Sequence, residues 1–306
     1  MKHISIIIPT YNAQEYSPTL LPSLYAQTLK NFELIIIDSS SQDATCKIAK
    51  KYTNNVITIP QNEFDHGGTR AKAAQIAKGE ILVYLTQDVL LFDEFTLENL
   101  TKVFDDEKIG AAYGRQLSYE DTNLFGKHLR EFNYPDKTIV RSKEDIKTYG
   151  IKTAQLSNSF AAYRKDVLLE IGNFKNDLIL GEDVYAGAKM ILAGYKLVYA
   201  ADAKVYHSHS YTVLQEFKRY FDIGVFHRCE EWILQEFGKA EGEGLKYIKS
   251  EVNYLLKNAA WYLLPEFFVR NGMKYLGYKL GQKYEKLPMW MIQKMSMHHR
   301  WWEKRK

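Results

Sequence analysis

The chain opens with short, continuous apolar runs separated by segments of a different period. "ISIIIP" (4–9), "FELIIID" (32–38), "NVITIP" (55–60) and "EILVYLT" (80–86) are rich in β-branched residues and read as buried strands. Between them apolar residues recur at helical spacing: Leu20, Leu21, Leu24 and Tyr25, then Ile48, Ala49 and Tyr52, then Ala73, Ala74, Ile76 and Ala77. Strands with no polar alternation, separated by helices, predict an α/β fold with a mainly parallel central sheet and helices on both faces. Ligands of such sheets bind beyond the carboxyl ends of the strands, where this chain places "PTYN" (9–12), "DSSSQD" (38–43) and "TQD" (86–88).

After "GAAYGRQL" (110–117) the stretch 118–153 is polar and weakly periodic. It reads as a long loop with short helices facing substrate, or as a surface insertion. "GEDVYAGAKMILAGYKLVYA" predicts a helix from Glu182 to about Ala193, closed by Gly194 and followed by a strand. From Val213 onward the spacing is helical, with Pro265 and Pro288 as breaks. The expected division is an α/β unit at 1–215 and a helical C-terminal region at 216–306.

Composition changes this picture little. A chain of 306 residues with 46% hydrophobic content fits one large domain, alone or with a helical extension. The net charge of +4 is unevenly placed: residues 270–306 carry ten Lys/Arg against Glu285 and Glu303, leaving the rest mildly acidic. Cys46 and Cys229 have no CxxC spacing and suit unpaired thiols in a reducing compartment. The first apolar run stops at Pro9, and "AAWYLLPEFF" is broken by Pro265 and Glu266, so neither a signal peptide nor a span is predicted. A cytoplasmic location, or one peripheral to a membrane, is expected.

The candidate chemistry lies at the strand ends. No glycine follows the first strand, which removes the GxGxxG fingerprint and most support for hydride transfer. Asp38 is an acceptor-only carboxylate that could receive the N3–H of a uracil or thymine ring, although strand-end and N-cap acids are also ordinary structural choices. "FDHGGTRAKA" reads as a Gly-Gly turn into a helix starting near Thr69. That helix start with Arg70 offers an anion site; a plain glycine turn before a packed helix explains it as well. Glu182 and Asp183 open another helix, whose dipole keeps a carboxylate ionised, so Asp183 could act as general base toward a hydroxyl. His207 and His209 share one face of an extended segment, as metal ligands or as structural residues.

In order along the chain, "IIIPTYN", "IIIDSSSQD", "HGGTRAKA", "YLTQD" and "LGEDVY" closely resemble the inverting glycosyltransferase family 2, over about residues 3–210. The resemblance implies a GT-A fold in which Pro9, Thr10, Tyr11, Asn12 and Asp38 line a nucleobase pocket. Ser40, Gly68, Arg70, Gln87 and Asp88 complete the expected donor contacts, and the Glu182–Asp183 pair supplies the base. The family's DxD motif has lost its first acid to Thr86 and keeps the last as Asp88. His207 is then the implied second metal ligand, in a set that suits Mn²⁺, with Mg²⁺ relying more on water and phosphate.

"EFDHGGTR", "LTQD" and "GYKLGQKYEKLP" are similar to the branch that moves rhamnose from dTDP-L-rhamnose onto lipid-linked bacterial polysaccharides. The resemblance therefore implies a metal-dependent inverting rhamnosyltransferase with a dTDP-sugar donor and a polyprenyl-diphosphate-linked glycan acceptor. A UDP-sugar donor is the alternative within the family, since uracil and thymine share the N3–H edge. A catalytically silent nucleotide-binding scaffold is the alternative outside catalysis, suggested by the missing acid. "QEFKRY" (215–220) approaches the QxxRW motif of processive synthases but is one residue too long.

In the tail, Met273, Leu276, Leu280 and Tyr284 form an apolar stripe flanked by Arg270, Lys274, Lys279 and Lys283. With Trp290, Trp301 and Trp302 this predicts contact with an anionic membrane surface, or a homo-oligomer interface. No recognised nucleic-acid module accompanies the basic tail, and no nucleic-acid partner is expected.

Overall fold

The β-branched runs pair as their pattern requires. The computed structural model describes residues 2–238 and 243–305, so Lys306 of the basic tail lies outside the described residues. The strands are β1 (Ile4–Thr10), β2 (Phe32–Asp38), β3 (Val56–Thr58), β4 (Ile81–Leu85), β5 (Leu90–Leu91), β6 (Ile109–Leu117), β7 (Ile139–Arg141), β8 (Phe160–Arg164) and β9 (Lys196–Tyr206). They form one sheet in the order β3-β2-β1-β4-β8-β6-β9-β5, with β7 on β9. β1, β2, β3 and β4 are parallel; β8 runs against β4 and β6, and β9 is parallel to β6. β5 and β7 run against β9. The carboxyl ends of β1, β2, β4, β6 and β9 therefore share one edge.

Period-two alternation divides each strand between two cores. Ile7, Ile35, Ile37, Leu82 and Tyr84 pack under the helices His66–Ile76 and Glu182–Leu192, while Ile6, Ile8, Leu34, Ile36 and Val83 pack on the opposite face with Leu20, Leu24 and Leu97. Each fully buried side chain of this size contributes about 1.5–3 kcal/mol, which anchors the strand ends that carry the site.

Three expectations need correction. The Gly-Gly pair is not a turn before a helix: the helix starts at His66, capped by Asp65, and Gly67 and Gly68 form its first turn. Gly67 is there for space, since a Cβ would stand 1.8 Å from the Lys175 carbonyl oxygen. The stretch 118–153 carries the expected short helices, among them Leu124–Asn133, but also the strand β7, which the pattern does not predict. Pro265 does not break a helix but sits in the first turn of Leu264–Gly281, where its missing N–H costs nothing, and Pro288 caps Met289–Met295.

The C-terminal region also turns a different face inward than the stripe implied. Helices Val213–Cys229 and Leu264–Gly281 cross closely, because Gly224, Gly277 and Gly281 let the backbones touch; a Cβ on Gly281 would meet the Phe221 carbonyl oxygen at 2.0 Å. Arg270 and Lys274 are buried, drawn in by Glu216 at 3.1 and 3.4 Å. Phe268, Val269, Tyr275 and Leu276 point outward instead. The last segment folds back onto the α/β unit: Trp302, expected at a surface, is 1% exposed and packs in the main core with Ile292. Trp301 donates to the Asp177 carbonyl at 3.1 Å, and Arg305 pairs with the Asp177 carboxylate at 2.6 Å. Trp290 remains exposed.

Candidate active site

The shared strand edge assembles one cleft. β1 ends at Thr10 and β2 at Asp38, and both exits are strained: Asn12 and Ser40 have φ of +49° and +59°. Non-glycine residues rarely adopt this conformation, and it persists where surrounding bonds over-determine it. Here the two exits clasp each other. Asn12 N–H donates to the Ser41 hydroxyl and Asn12 Oδ1 accepts from Gln42 N–H, at 2.8 and 2.9 Å. Gln87, beyond β4, clips the same loop, with Oε1 accepting from Tyr11 N–H at 2.8 Å and Nε2 donating to the Tyr11 carbonyl at 3.2 Å.

These loops wall a cavity of about 290 Å³ lined by Pro9, Thr10, Tyr11, Arg70 and Gln87 of the expected donor residues, together with His66 and Arg300. Tyr11 leaves its ring exposed, a platform on which a base can stack.

Asp38 does not face that cavity as expected. It is fully buried; Oδ1 accepts from the Thr10 and Ser41 hydroxyls and Oδ2 from Ser41 N–H. Its work in this conformation is to fix the two strand exits, and no oxygen is presented to a ring N–H. The Ser40 hydroxyl likewise points to the Ile59 carbonyl, and Gly68 N–H is taken by its Asp65 cap. Arg70 lines the cavity, but its guanidinium is committed to Glu182 at 3.2 Å and to the His66 carbonyl at 3.0 Å.

The lone acid has company. β9 delivers His207 beside Asp88, with Nε2 3.4 Å from Oδ2, and His209 follows at 3.7 Å. The three donor atoms lie within 4.8 Å of one another. Burial would raise the Asp88 carboxyl, but hydrogen bonding and charge from His207, aided by His209, hold it well below the usual carboxylate range. Burial and His207 push His209 down to about 4, so it is a neutral imidazole at pH 7.

Gln116, on neighbouring β6, fixes the His207 ring. Its amide donates to Ser157 at 2.8 Å, so its oxygen accepts from His207 Nδ1–H, also at 2.8 Å. Nε2 is the ring nitrogen turned to Asp88, and it offers the lone pair a metal needs once an ion displaces its proton. One ionised carboxylate and two convergent imidazole nitrogens fit a divalent transition ion better than Mg²⁺.

The acidic pair at the 182–192 helix divides its roles. Gly181 enters that helix at φ +81°, and a Cβ there would stand 3.0 Å from the Phe226 ring, so glycine suits both constraints. Glu182 is buried on Arg70 and accepts from Asn158 Nδ2 at 3.0 Å. Burial would raise it, but Arg70 and His66 keep it below its ordinary value. Asp183 accepts from the Asn158 and Val184 N–H groups, at 3.1 and 2.8 Å. Burial and the Glu182 charge raise it to about 6, the range suited to a base at neutral pH. Glu182 thus faces Arg70 and Asn158, whereas Asp183 is the candidate base.

A sequence model of Glycosyl transferase family 2 matches residues 5–172. The chain belongs to this family. It is 46% identical over 304 residues to the O-antigen chain rhamnosyltransferase WbaN of Salmonella anatum, covering 99% of this chain and 96% of that one. It is equally identical over 301 residues to the O-antigen chain rhamnosyltransferase RfbN of Salmonella typhimurium, covering 98% and 96%.

Among solved structures, the fold matches the mannosyltransferase PcManGT from Pyrobaculum calidifontis, in complex with GDP-Man and Mn²⁺, at a TM-score of 0.64 and 17% identity, covering 93% of this chain and 88% of that one. The S. aureus TarS 1–349 complex with UDP-GlcNAc matches at 0.54 and 18% identity, covering 94% and 92%. These two likenesses establish the GT-A-type architecture. The chain is therefore a family 2 glycosyltransferase, and no described helix is long and apolar enough to cross a membrane.

The sequence motifs do not mark Gln116, Asn158 or the C-terminal Arg300. Gln116 and Asn158 touch partners distant in sequence, and Arg300 reaches the cavity from the far end of the chain, none of which local spacing displays.

Proposed function

We propose that the chain transfers L-rhamnose from dTDP-β-L-rhamnose, with inversion, to a polyprenyl-diphosphate-linked glycan during surface-polysaccharide synthesis. The full-length 46% identity to two O-antigen chain rhamnosyltransferases carries the choice of sugar. The geometry supports the chemistry. Asp183 takes the proton of an acceptor hydroxyl as its oxygen attacks the anomeric carbon. The carbon–oxygen bond to dTDP breaks on the opposite face, and its electron pair leaves on the diphosphate. Asp88, His207 and His209 would hold a divalent ion, which when bound supplies positive charge to the leaving diphosphate. The exit loops of β1 and β2 hold the nucleotide, with Tyr11 under the base.

The same reading divides the chain at about residue 215 and places the protein at the cytoplasmic face of a membrane. Support for surface contact comes from the outward row Phe268, Val269, Tyr275 and Leu276, with Lys279 beside Tyr275. A homo-oligomer would use the same row.

The test is donor choice: purified protein, a synthetic lipid-diphosphate glycan, and dTDP-rhamnose, UDP-glucose or UDP-galactose with Mn²⁺. Rhamnose transfer with release of dTDP, abolished by Asp88→Ala, is expected. Turnover with a UDP-sugar alone would replace the sugar assignment, and nucleotide binding without turnover on any donor would favour a scaffold.

A further inference from the structure

The C-terminal segment carries a feature that neither the family motifs nor the proposed chemistry uses. Arg300 leaves the tail and lines the cavity beyond β1, β2 and β4, together with Tyr11, Thr86 and Gln87. Its Nη1 lies 3.4 Å from the Gln61 carbonyl oxygen, and no carboxylate pairs with it among the described residues. The other arginine of that cavity, Arg70, is already neutralised by Glu182. Among the described residues lining that cavity, Arg300 is thus the arginine without a carboxylate partner, delivered from the far end of the chain.

The segment is pinned on both sides of Arg300. Before it, Met297 N–H donates to Asp222 Oδ2 at 2.8 Å, and the His298 ring meets His66 edge-on at 5.4 Å. After it, Trp302 is buried in the core, and Trp301 and Arg305 are tied to Asp177. The backbone that carries Arg300 is thereby fixed against the α/β unit, with the side chain itself exposed at the cavity. A guanidinium group recognises phosphate oxygens through paired, charge-assisted hydrogen bonds.

We propose that Arg300 is a donor-binding residue, contacting the diphosphate of the nucleoside diphosphate sugar, and that residues 296–305 form a strap which completes the donor pocket. This rests on the donor site placed under Proposed function. It also gives the basic, aromatic tail a role on the protein's own surface.

The experiment is isothermal titration of the full chain with dTDP, with and without Mn²⁺, for wild type, Arg300→Ala, Arg300→Lys and the distal control Lys294→Ala, beside donor KM and kcat. Loss of one charge-assisted contact predicts that Arg300→Ala weakens dTDP binding and raises donor KM by about tenfold to a hundredfold. Its kcat should change far less and its Tm should not change. Arg300→Lys should recover part of the affinity, and Lys294→Ala should match wild type.

Arg300→Ala binding dTDP within about twofold of wild type overturns the assignment, as does an equal loss in Lys294→Ala. If wild type itself binds no nucleoside diphosphate, the donor site and the strap fall together. Wild-type binding with an indifferent Arg300→Ala removes only the strap.

Discussion

Replacing Asp183 by asparagine separates catalysis from folding, because the two respond in opposite directions. The carboxyl is raised from 3.8 to about 6 by burial and by the Glu182 charge. An unfolded chain releases this proton near 3.8, whereas the folded chain holds it until about 6. Folding therefore binds the proton, and the group's contribution to stability is lost as pH rises through that window. The difference corresponds to about 3 kcal/mol at most. An asparagine side chain carries no such cost; like the protonated acid it presents one acceptor oxygen, which can serve one of the two N–H groups of Asn158 and Val184.

Asp183→Asn should thus melt no lower than wild type at neutral pH, and the gap should close below about pH 4. Turnover should fall by about 10²- to 10⁴-fold, the usual worth of a general base, with dTDP affinity unchanged. Wild-type kcat/KM, read from dTDP release between about pH 5 and about pH 8, should decline on the acid side with an apparent pKa near 6. A variant that melts lower and loses dTDP binding would make Asp183 structural. A flat wild-type profile across the acid range would refute the base.

Two further outcomes test other parts of the molecule. Gln116→Ala frees the His207 ring to change tautomer, so Mn²⁺ affinity in the presence of dTDP should fall by about 10- to 100-fold by calorimetry, with Tm nearly unchanged; equal affinity would show that Gln116 does not orient the ligand. Phe268→Glu with Tyr275→Glu places charge on the outward row, and should abolish flotation with anionic vesicles while leaving dTDP binding intact. Unchanged flotation, or a lower solution mass for the variant, would point away from lipid or toward self-association.

What could be read from the sequence follows the range of the interactions involved. Strand ends, the helix at Glu182 and the positions of Asp88, Asp183 and His207 are encoded by local period and by motif order. Asp38 was placed correctly at the end of β2, yet its bonding to Thr10 and Ser41 depends on how two loops meet, and spacing says nothing of that. The 264–281 helix shows the same limit more sharply. A helical wheel puts Arg270 and Lys274 on the flanks of an apolar stripe, because it values a cation by its solvation alone. Glu216, on another helix, supplies the partner that makes their burial tolerable, and Gly277 and Gly281 bring the helices close enough to use it. The sequence likewise reads Trp302 as a surface residue, because spacing does not show that the last segment folds back onto the main core.

The loss of one DxD acid changes the charge of the site more than its capacity to ligate. Two carboxylates would place two negative charges against an incoming diphosphate, whereas the set Asp88, His207 and His209 contains one carboxylate. Repulsion toward the nucleotide falls, and so does attraction for a lone cation. Metal and donor should then bind each other's complexes far more tightly than either binds the empty protein, since each supplies charge that the other lacks. The missing acid suits an enzyme that takes up its ion together with the donor, and His209 converges with His207 on Asp88 as a third candidate ligand.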